Sequence, residues 1–260
     1  MKTVLFCGGL GLRIRDPSDA VPKPLVPVGD RPILCHVMQY YAHHGHKDFI
    51  LCLGYEGRAI EQYFQSRGGN RSRAAGTIEL SGGDMDGWRI AFAETGLESS
   101  IGERLRRVRH HLAGEEVFLA NYADSLTDLH LPDLIERARS GERVGAFLCV
   151  KPALSYHFVK ARVDGVVTEV VGVNDLDIRI NGGYFVFRKE IFDYIGEGED
   201  LVAEPFRRLI EQERLFGYRY DGFWRTMDTF KDKQALDDLS ASGNAPWEVW
   251  KRRATKTEKG

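Results

Sequence analysis

The chain has 260 residues, a formal net charge of −2 and a pI near 6.5, and 43% of its residues are apolar. This length allows one large domain or two small ones, and the apolar fraction supports a full hydrophobic core. The near-zero net charge argues against a dedicated nucleic-acid surface, which usually carries a basic excess. The apolar runs are too short to span a bilayer and Gly8 interrupts the first one, so neither a membrane span nor a signal peptide is predicted, and the expected location is cytoplasmic.

The order of apolar and polar residues predicts an α/β fold. Strands are predicted at residues 3–7, 47–53, 77–80, 88–94, 116–121, 145–150, 182–187 and 215–220. Helices are predicted from Pro32 to Gly45 and at residues 58–64, 102–110, 131–140, 203–213 and 229–240, and residues 158–173 alternate as in an antiparallel hairpin. Because strands and helices alternate, we expect a three-layer αβα, Rossmann-like sheet that is mixed but mostly parallel, with an antiparallel extension in the C-terminal half.

The first predicted strand ends in glycines that basic residues follow. The segment GGLGLR (residues 8–13) comes directly after the strand, and Lys23 lies between two prolines. Glycines leave backbone N–H groups accessible to a phosphate chain, to which Arg13 and Lys23 would add positive charge. A tight turn is the alternative interpretation. The segment matches neither a P-loop nor G-x-G-x-x-G, since Ile14 stands where the third glycine is required, and a Rossmann dehydrogenase is therefore disfavoured.

GGLGLR, followed by PKPLVPVGDRPIL, resembles the N-terminal signature of sugar-1-phosphate nucleotidyltransferases, which is usually GGxGTR with a later PKP. The segments HVMQYYAHHGHKDFILCLGYEG, INGGYFVF, GFWRTMDTFKDK and APWEVW extend this resemblance over almost the whole chain, to the glucose-1-phosphate cytidylyltransferases of that family. The resemblance implies condensation of CTP with a sugar 1-phosphate, first of all glucose 1-phosphate, to give a CDP-sugar and pyrophosphate. It also implies Mg²⁺ as the metal and a homo-oligomeric assembly.

The resemblance implies one nucleotidyltransferase domain over residues 1–251. The nucleotide-binding part is expected in about residues 1–130, and the part for sugar-phosphate binding and oligomerisation in about residues 131–251. Residues 252–260 form a charged tail that is expected to be disordered.

The resemblance assigns roles to residues spread along the chain. Arg13, Lys23 and Asp124 match catalytic residues, and Asp124 and Asp228 match the two metal-binding aspartates. The positions that match nucleotide-binding residues are Gly8, Gly9, Leu10, Gly11, Leu12, Arg13, Lys23, Ser99 and Arg104. Local sequence leaves other roles open: Asp124 could start a turn, Asp228 could cap the helix that follows it, and Lys23 and Arg104 could be solvated surface residues.

The segment INGG matches the sugar-binding part of the family. Asn181 would face the sugar because an amide both donates and accepts hydrogen bonds, and Gly182 would let the ring approach the strand closely. The family's Glu-Lys-Pro, whose lysine meets the sugar phosphate, is absent, and VGVND (residues 171–175) stands in its place. Arg179 and Lys160 are candidate substitutes for that lysine, and Arg179 is favoured because it is near INGG.

Other positions also depart from the family pattern. Leu12 and Ile101 replace threonines, and the usual Gly-Asp-Gly around the first aspartate reads Ala123-Asp124-Ser125. These departures keep open a different NTP or sugar phosphate, and a regulator that binds such ligands without turnover. A glycosyltransferase is disfavoured, because the Asp-x-Asp at residues 175–177 does not follow a predicted core strand.

Overall fold

The computed structural model describes residues 1–9, 21–68, 70–71, 76–152 and 156–252. Within these ranges the α-helices are α1 (Ile33–His43), α2 (Gly57–Gln65), α3 (Ile101–Arg107), α4 (Leu131–Arg139), α5 (Glu204–Glu211) and α6 (Phe230–Ala241). The strands are β1 (Lys2–Phe6), β2 (Pro27–Val28), β3 (Arg31–Pro32), β4 (Asp48–Leu53), β5 (Asn70–Arg71), β6 (Thr77–Glu79), β7 (Arg89–Glu94), β8 (Val117–Asn121), β9 (Ser125–Thr127), β10 (Gly145–Val150), β11 (His157–Ala161), β12 (Val167–Gly172), β13 (Ile180–Arg188), β14 (Leu215–Tyr220) and β15 (Trp224–Thr226).

Nine of these strands form one sheet in the order β14-β10-β13-β8-β1-β4-β7-β6-β5. Strands β8, β1, β4 and β7 pair in parallel at its centre, and of the nine strands only β13 and β6 run in the opposite direction. The hairpin β11–β12 is antiparallel and stands apart from the main sheet. The predicted mixed, mostly parallel sheet with an antiparallel extension is therefore confirmed.

Helices cover both faces of the sheet. Along β1, Leu5 packs into the core that includes residues of α1, α2, α4 and α6, whereas Val4 and Phe6 pack into a second core with Leu105 of α3 and Leu209 of α5. This division follows from the strand geometry, because successive side chains point to opposite faces. Burial of each large apolar side chain contributes about 1.5–3 kcal/mol, so the strands buried on both faces hold the three layers together.

The predicted long elements are present, with ends that differ by a few residues. The helix predicted at residues 102–110 ends at Arg107, and a short 3₁₀ turn follows it. Strands β2, β3, β5, β9 and β15 were not predicted, because two or three residues are too few to show a strand period. None of the described helices is long and apolar enough to cross a membrane. Residues 253–260, most of the predicted disordered tail, lie outside the described residues.

The C-terminal segment is fixed to α1 through His36, which is buried. Trp247 donates its indole N–H to Nδ1 of His36 over 3.2 Å, and Nε2 lies 2.9 Å from the carbonyl oxygen of Val28. Because an indole N–H can only donate, Nδ1 is the acceptor and Nε2 carries the proton that Val28 accepts. Burial lowers the pKa of His36 from 6.5 to about 4, which keeps this neutral form at physiological pH.

We expect acidification from pH 7 to pH 5 to destabilise the protein partly through His36. Its folded pKa lies below its ordinary value, so the unfolded chain takes up the proton first. The stability contributed by neutral His36 is present above pH 6.5 and is lost as the pH falls toward 4. The resulting loss at pH 5 is about 2 kcal/mol. Urea unfolding at both pH values should therefore show a loss about 2 kcal/mol smaller in His36→Gln, and equal losses in both proteins would contradict the prediction.

Candidate active site

The predicted site residues Gly8 and Asp124 lie at the carboxyl ends of the central parallel strands, together with the residues that follow two neighbouring strands. Gly8 follows β1, Gly54 follows β4, Thr95 follows β7 and Asp124 lies three residues after the end of β8. Ligands of open α/β sheets bind at this edge, because the loops that leave the strands there diverge and form a crevice.

A short pair of strands brings Asp124 and Asp228 together. In the antiparallel pair β9–β15, Ser125 lies opposite Thr226, so the residues just outside the pair also face each other. The N–H of Met227 accordingly donates to the carbonyl oxygen of Asp124 over 2.9 Å. Asp228 is the next residue, so the two aspartates become neighbours although 104 positions separate them in sequence.

Asp228 is not the cap of the helix that follows it. Thr229 is the N-cap of α6, and its side chain and that of Asp232 form a reciprocal capping box. The capping alternative raised for Asp228 is therefore excluded, and its carboxylate takes part in a different interaction, with Lys23.

The ammonium group of Lys23 lies between the two carboxylates. Its Nζ atom is 2.7 Å from Oδ2 of Asp124 and 2.8 Å from Oδ1 of Asp228. The Lys23 side chain is only 14% exposed, so the alternative of a solvated surface lysine is excluded. Burial by itself lowers the pKa of Lys23, but attraction and hydrogen bonds from Asp124 and Asp228 outweigh it and raise the pKa above its ordinary value. Lys23 is therefore charged at neutral pH.

Arg104 is buried behind the glycine loop, at 3% exposure. Its guanidinium donates to the carbonyl oxygens of Gly8, Leu53 and Leu97 and to Oγ1 of Thr95, at 2.7 to 3.2 Å. It thereby joins the segments that leave β1, β4 and β7, and the alternative of a solvated helix face is excluded. Burial lowers the pKa of Arg104, yet an arginine remains protonated, so a buried positive charge lies behind the loop.

Packing requires a glycine at position 8. A Cβ atom on Gly8 would lie 2.0 Å from Nη1 of Arg104, whereas one on Gly9 would meet no atom of the described residues within 4 Å. Leu10, Gly11, Leu12 and Arg13 lie outside the described residues. The side chain of Ser99 donates to the carbonyl oxygen of Thr95 in the loop after β7, and the nucleotide contacts of Ser99 and Arg104 stay predictions.

Asn181 lies beside a residue that sequence reasoning missed, Tyr122. The Asn181 amide donates to the Tyr122 hydroxyl over 3.1 Å and accepts from the N–H of Gly183 over 2.9 Å. Gly183 has a φ of +76°, and a Cβ atom there would come within 2.7 Å of the Tyr122 ring. Tyr122 thus connects β13 to the loop that carries Asp124. Its position two residues before Asp124 was the available signal.

Protein side chains surround Gly182 and Arg179. A Cβ atom on Gly182 would lie 3.2 Å from Leu148 and from the Trp224 indole, so these two side chains pack closely against the strand at this glycine. Arg179 donates to the carbonyl oxygen of Tyr220 over 2.9 Å and pairs with Asp221 at 2.7 Å. Sugar-phosphate contacts of Asn181, Gly182 and Arg179 stay predictions.

The fold and the site define a class of α/β proteins that bind phosphate-bearing ligands at the carboxyl edge of the sheet. A sequence profile of the family described as nucleotidyl transferase matches residues 2–233. The glucose-1-phosphate cytidylyltransferases of Salmonella typhimurium and Salmonella typhi are each 32% identical to this chain over 256 residues, which cover 96% of this chain and 100% of each relative. The chain therefore belongs to the nucleotidyl transferase family, and its resemblance to glucose-1-phosphate cytidylyltransferases is confirmed.

Solved structures agree on the fold. The crystal structure of UDP-glucose pyrophosphorylase complexed with UDP-glucose matches with a TM-score of 0.68 at 14% identity and covers 93% of this chain and 98% of that one. An identity this low supports the shared fold alone.

Proposed function

We propose that this protein condenses CTP with a sugar 1-phosphate, first of all α-D-glucose 1-phosphate, to give a CDP-sugar and pyrophosphate. The main support is that Lys23 lies between the carboxylates of Asp124 and Asp228, at the carboxyl ends of the parallel strands, in a chain of this family. Two acidic groups and one basic group at one point suit a metal-associated triphosphate, whose own negative charge requires cations around it.

We further propose that Asp124 and Asp228 hold Mg²⁺ during the reaction. Their carboxylates already converge on one cation, and Mg²⁺ prefers one or two carboxylates plus water and phosphate oxygens. Among the described residues there is no group of three or more acidic, histidine or cysteine side chains that could bind a metal, so the remaining ligands would come from substrate and solvent. The bound metal would offset the charge on the phosphate oxygens.

The protein's own residues would contribute to this reaction by aligning the two substrates and by placing positive charge near the phosphates. An oxygen of the sugar phosphate attacks the α-phosphorus of CTP, a new P–O bond forms, and the bond to pyrophosphate breaks with its electron pair leaving on pyrophosphate. The loop after β1, held by Arg104, would position the triphosphate, and Lys23 would place positive charge on the phosphate oxygens. Asn181 of β13 and Tyr122, which follows β8, would orient the acceptor sugar.

The acceptor phosphate would need another cation in this chain, because the family's sugar-phosphate lysine is absent. Arg179 remains the proposed substitute. If it meets the sugar phosphate, Arg179→Gln should raise the KM for that substrate about tenfold, as expected for one lost charge-assisted hydrogen bond, and should leave the KM for CTP unchanged. An unchanged KM for the sugar phosphate would remove Arg179 from the site.

One assay separates the candidate functions. The protein is incubated with Mg²⁺, each NTP in turn and a panel of sugar 1-phosphates, and pyrophosphate release is measured. We expect release with CTP and glucose 1-phosphate. Release with another NTP or another sugar phosphate alone would retain the reaction class and change the substrate. A protein that binds nucleotide but releases no pyrophosphate with any pair would be a binding-only regulator.

A homo-oligomer is also proposed, with the hairpin β11–β12 as its contact. Phe158, Val159 and Val170 of this hairpin are 51%, 59% and 58% exposed, which is unusual for apolar side chains on two adjacent strands. Light scattering should give a mass above 29.4 kDa for the wild type and a lower mass for Val159→Lys. A monomeric wild type would contradict the proposal.

The cytoplasmic location stays a prediction.

A further inference from the structure

We propose that Lys23 and the divalent cation are alternative occupants of the same position, so that metal binding expels Lys23 from between Asp124 and Asp228. The inference rests on the proposed metal site and concerns what the chain does before the metal arrives. Lys23 then acts as a tethered counter-ion that is exchanged for the metal and released toward the phosphates.

The ammonium group of Lys23 already occupies a position shared by both carboxylates. Nζ of Lys23 is within 2.8 Å of an oxygen of each aspartate, which is ordinary hydrogen-bond length. Mg²⁺ binds carboxylate oxygens at about 2.0–2.1 Å, so an ion shared by Oδ2 of Asp124 and Oδ1 of Asp228 would take the position that Nζ of Lys23 now occupies. An ammonium group and a divalent ion at one point would also repel each other strongly.

Hydrogen bonds hold the backbone around Lys23 in place, so only the Lys23 side chain would have to move when the metal binds. Lys23 begins a 3₁₀ turn between Pro22 and the buried Pro24. The N–H of Leu25 donates to the carbonyl oxygen of Pro22 over 2.8 Å, and that of Val26 donates to the carbonyl oxygen of Lys23 over 3.1 Å. A lysine side chain has a flexible four-carbon stem, so its ammonium group can move several ångströms while this turn stays in place.

The exchange gives Lys23 two successive partners. Without metal, its single positive charge opposes the repulsion between two carboxylates that β9 and β15 force into proximity. With metal, the carboxylates bind a doubly charged ion and no longer attract the ammonium group. Lys23 is then available for the triphosphate that brings the metal, so binding of the nucleotide–metal complex and arrival of the lysine at the phosphates become one coupled event.

The first test measures Mn²⁺ binding by electron paramagnetic resonance without nucleotide. Lys23→Met removes the competing ammonium and keeps an unbranched side chain, and its Mn²⁺ affinity should rise about tenfold or more over the wild type. Lys189→Met is the matched control, because Lys189 pairs with Glu116 at the opposite, amino edge of β8 and its loss should leave the affinity unchanged. An unchanged or lower affinity in Lys23→Met would overturn the inference and leave the proposed reaction intact.

A second test uses the wild type and does not depend on a variant folding. Lysine acetylation by a small reagent is followed by peptide mass spectrometry with and without Mg²⁺. Lys23 should react slowly alone and several-fold faster at saturating Mg²⁺, whereas Lys189 should react equally in both. Protection of Lys23 that persists at saturating metal would show that metal and lysine occupy different positions. If neither the wild type nor Lys23→Met binds Mn²⁺ without nucleotide, metal and lysine do not exchange in the free protein and the inference fails, and the pyrophosphate assay tests the reaction separately.

Discussion

Replacement of Asp124 by asparagine is expected to reduce pyrophosphate release at least 10²–10³-fold, on the order of the loss of one strong electrostatic contact in an active site. Asparagine has the same shape but no charge, so one of the two carboxylates that converge on Lys23 becomes neutral. The backbone bond from Met227 to Asp124 does not involve the side chain, so β9 and β15 should remain paired. The rate of release with CTP, glucose 1-phosphate and Mg²⁺ is the measurement.

The matched control is Asp164→Asn at the tip of the exposed hairpin, where Asp164 pairs with Arg162 and accepts from the N–H of Val166, far along the chain from the site. That variant should retain the wild-type rate. Asp228→Asn should lose activity as Asp124→Asn does, because both carboxylates face the same position. A folded Asp124→Asn protein with the full rate would show that the cation site lies elsewhere.

Arg104→Met is expected to lower the free energy of unfolding by about 1–3 kcal/mol, the range for leaving buried hydrogen-bond partners unsatisfied. Four acceptors, on Gly8, Leu53, Thr95 and Leu97, would remain in the interior without the guanidinium that now donates to them. Methionine fills part of the space but donates no hydrogen bond. Urea unfolding at pH 7 is the measurement.

Arg106→Met is the control for Arg104→Met, since Arg106 lies two residues further along α3. The Arg106 side chain is 38% exposed and only reaches Glu103 at 3.5 Å, so its loss should change stability by less than about 0.5 kcal/mol. If the two variants were equally stable, Arg104 would have no structural role at the carboxyl edge. Gly8→Ala should resemble Arg104→Met, because its added methyl group would enter the space of the guanidinium.

The long elements could be predicted because each carries its own signal. Strands such as β1 and β4 are continuous apolar runs, and α1 starts directly after Pro32, so local sequence is enough to locate them. The pairing of β9 with β15 could not be predicted, since three residues show no period and their partners lie about 100 positions apart. That pairing nevertheless decides where Asp228 lies.

The sequence by itself determined the class of fold, because this depends on periodicity, and its motifs predicted the candidate residues for phosphate and metal binding through their resemblance to the family. Only the tertiary structure decided how they meet: that Lys23 lies between Asp124 and Asp228, that Arg104 is buried behind Gly8, and that Tyr122 holds Asn181. The physical reason is that these contacts are made between side chains on separate strands and loops. Their positions are set by strand pairing and core packing over the whole domain, which no local stretch of sequence encodes.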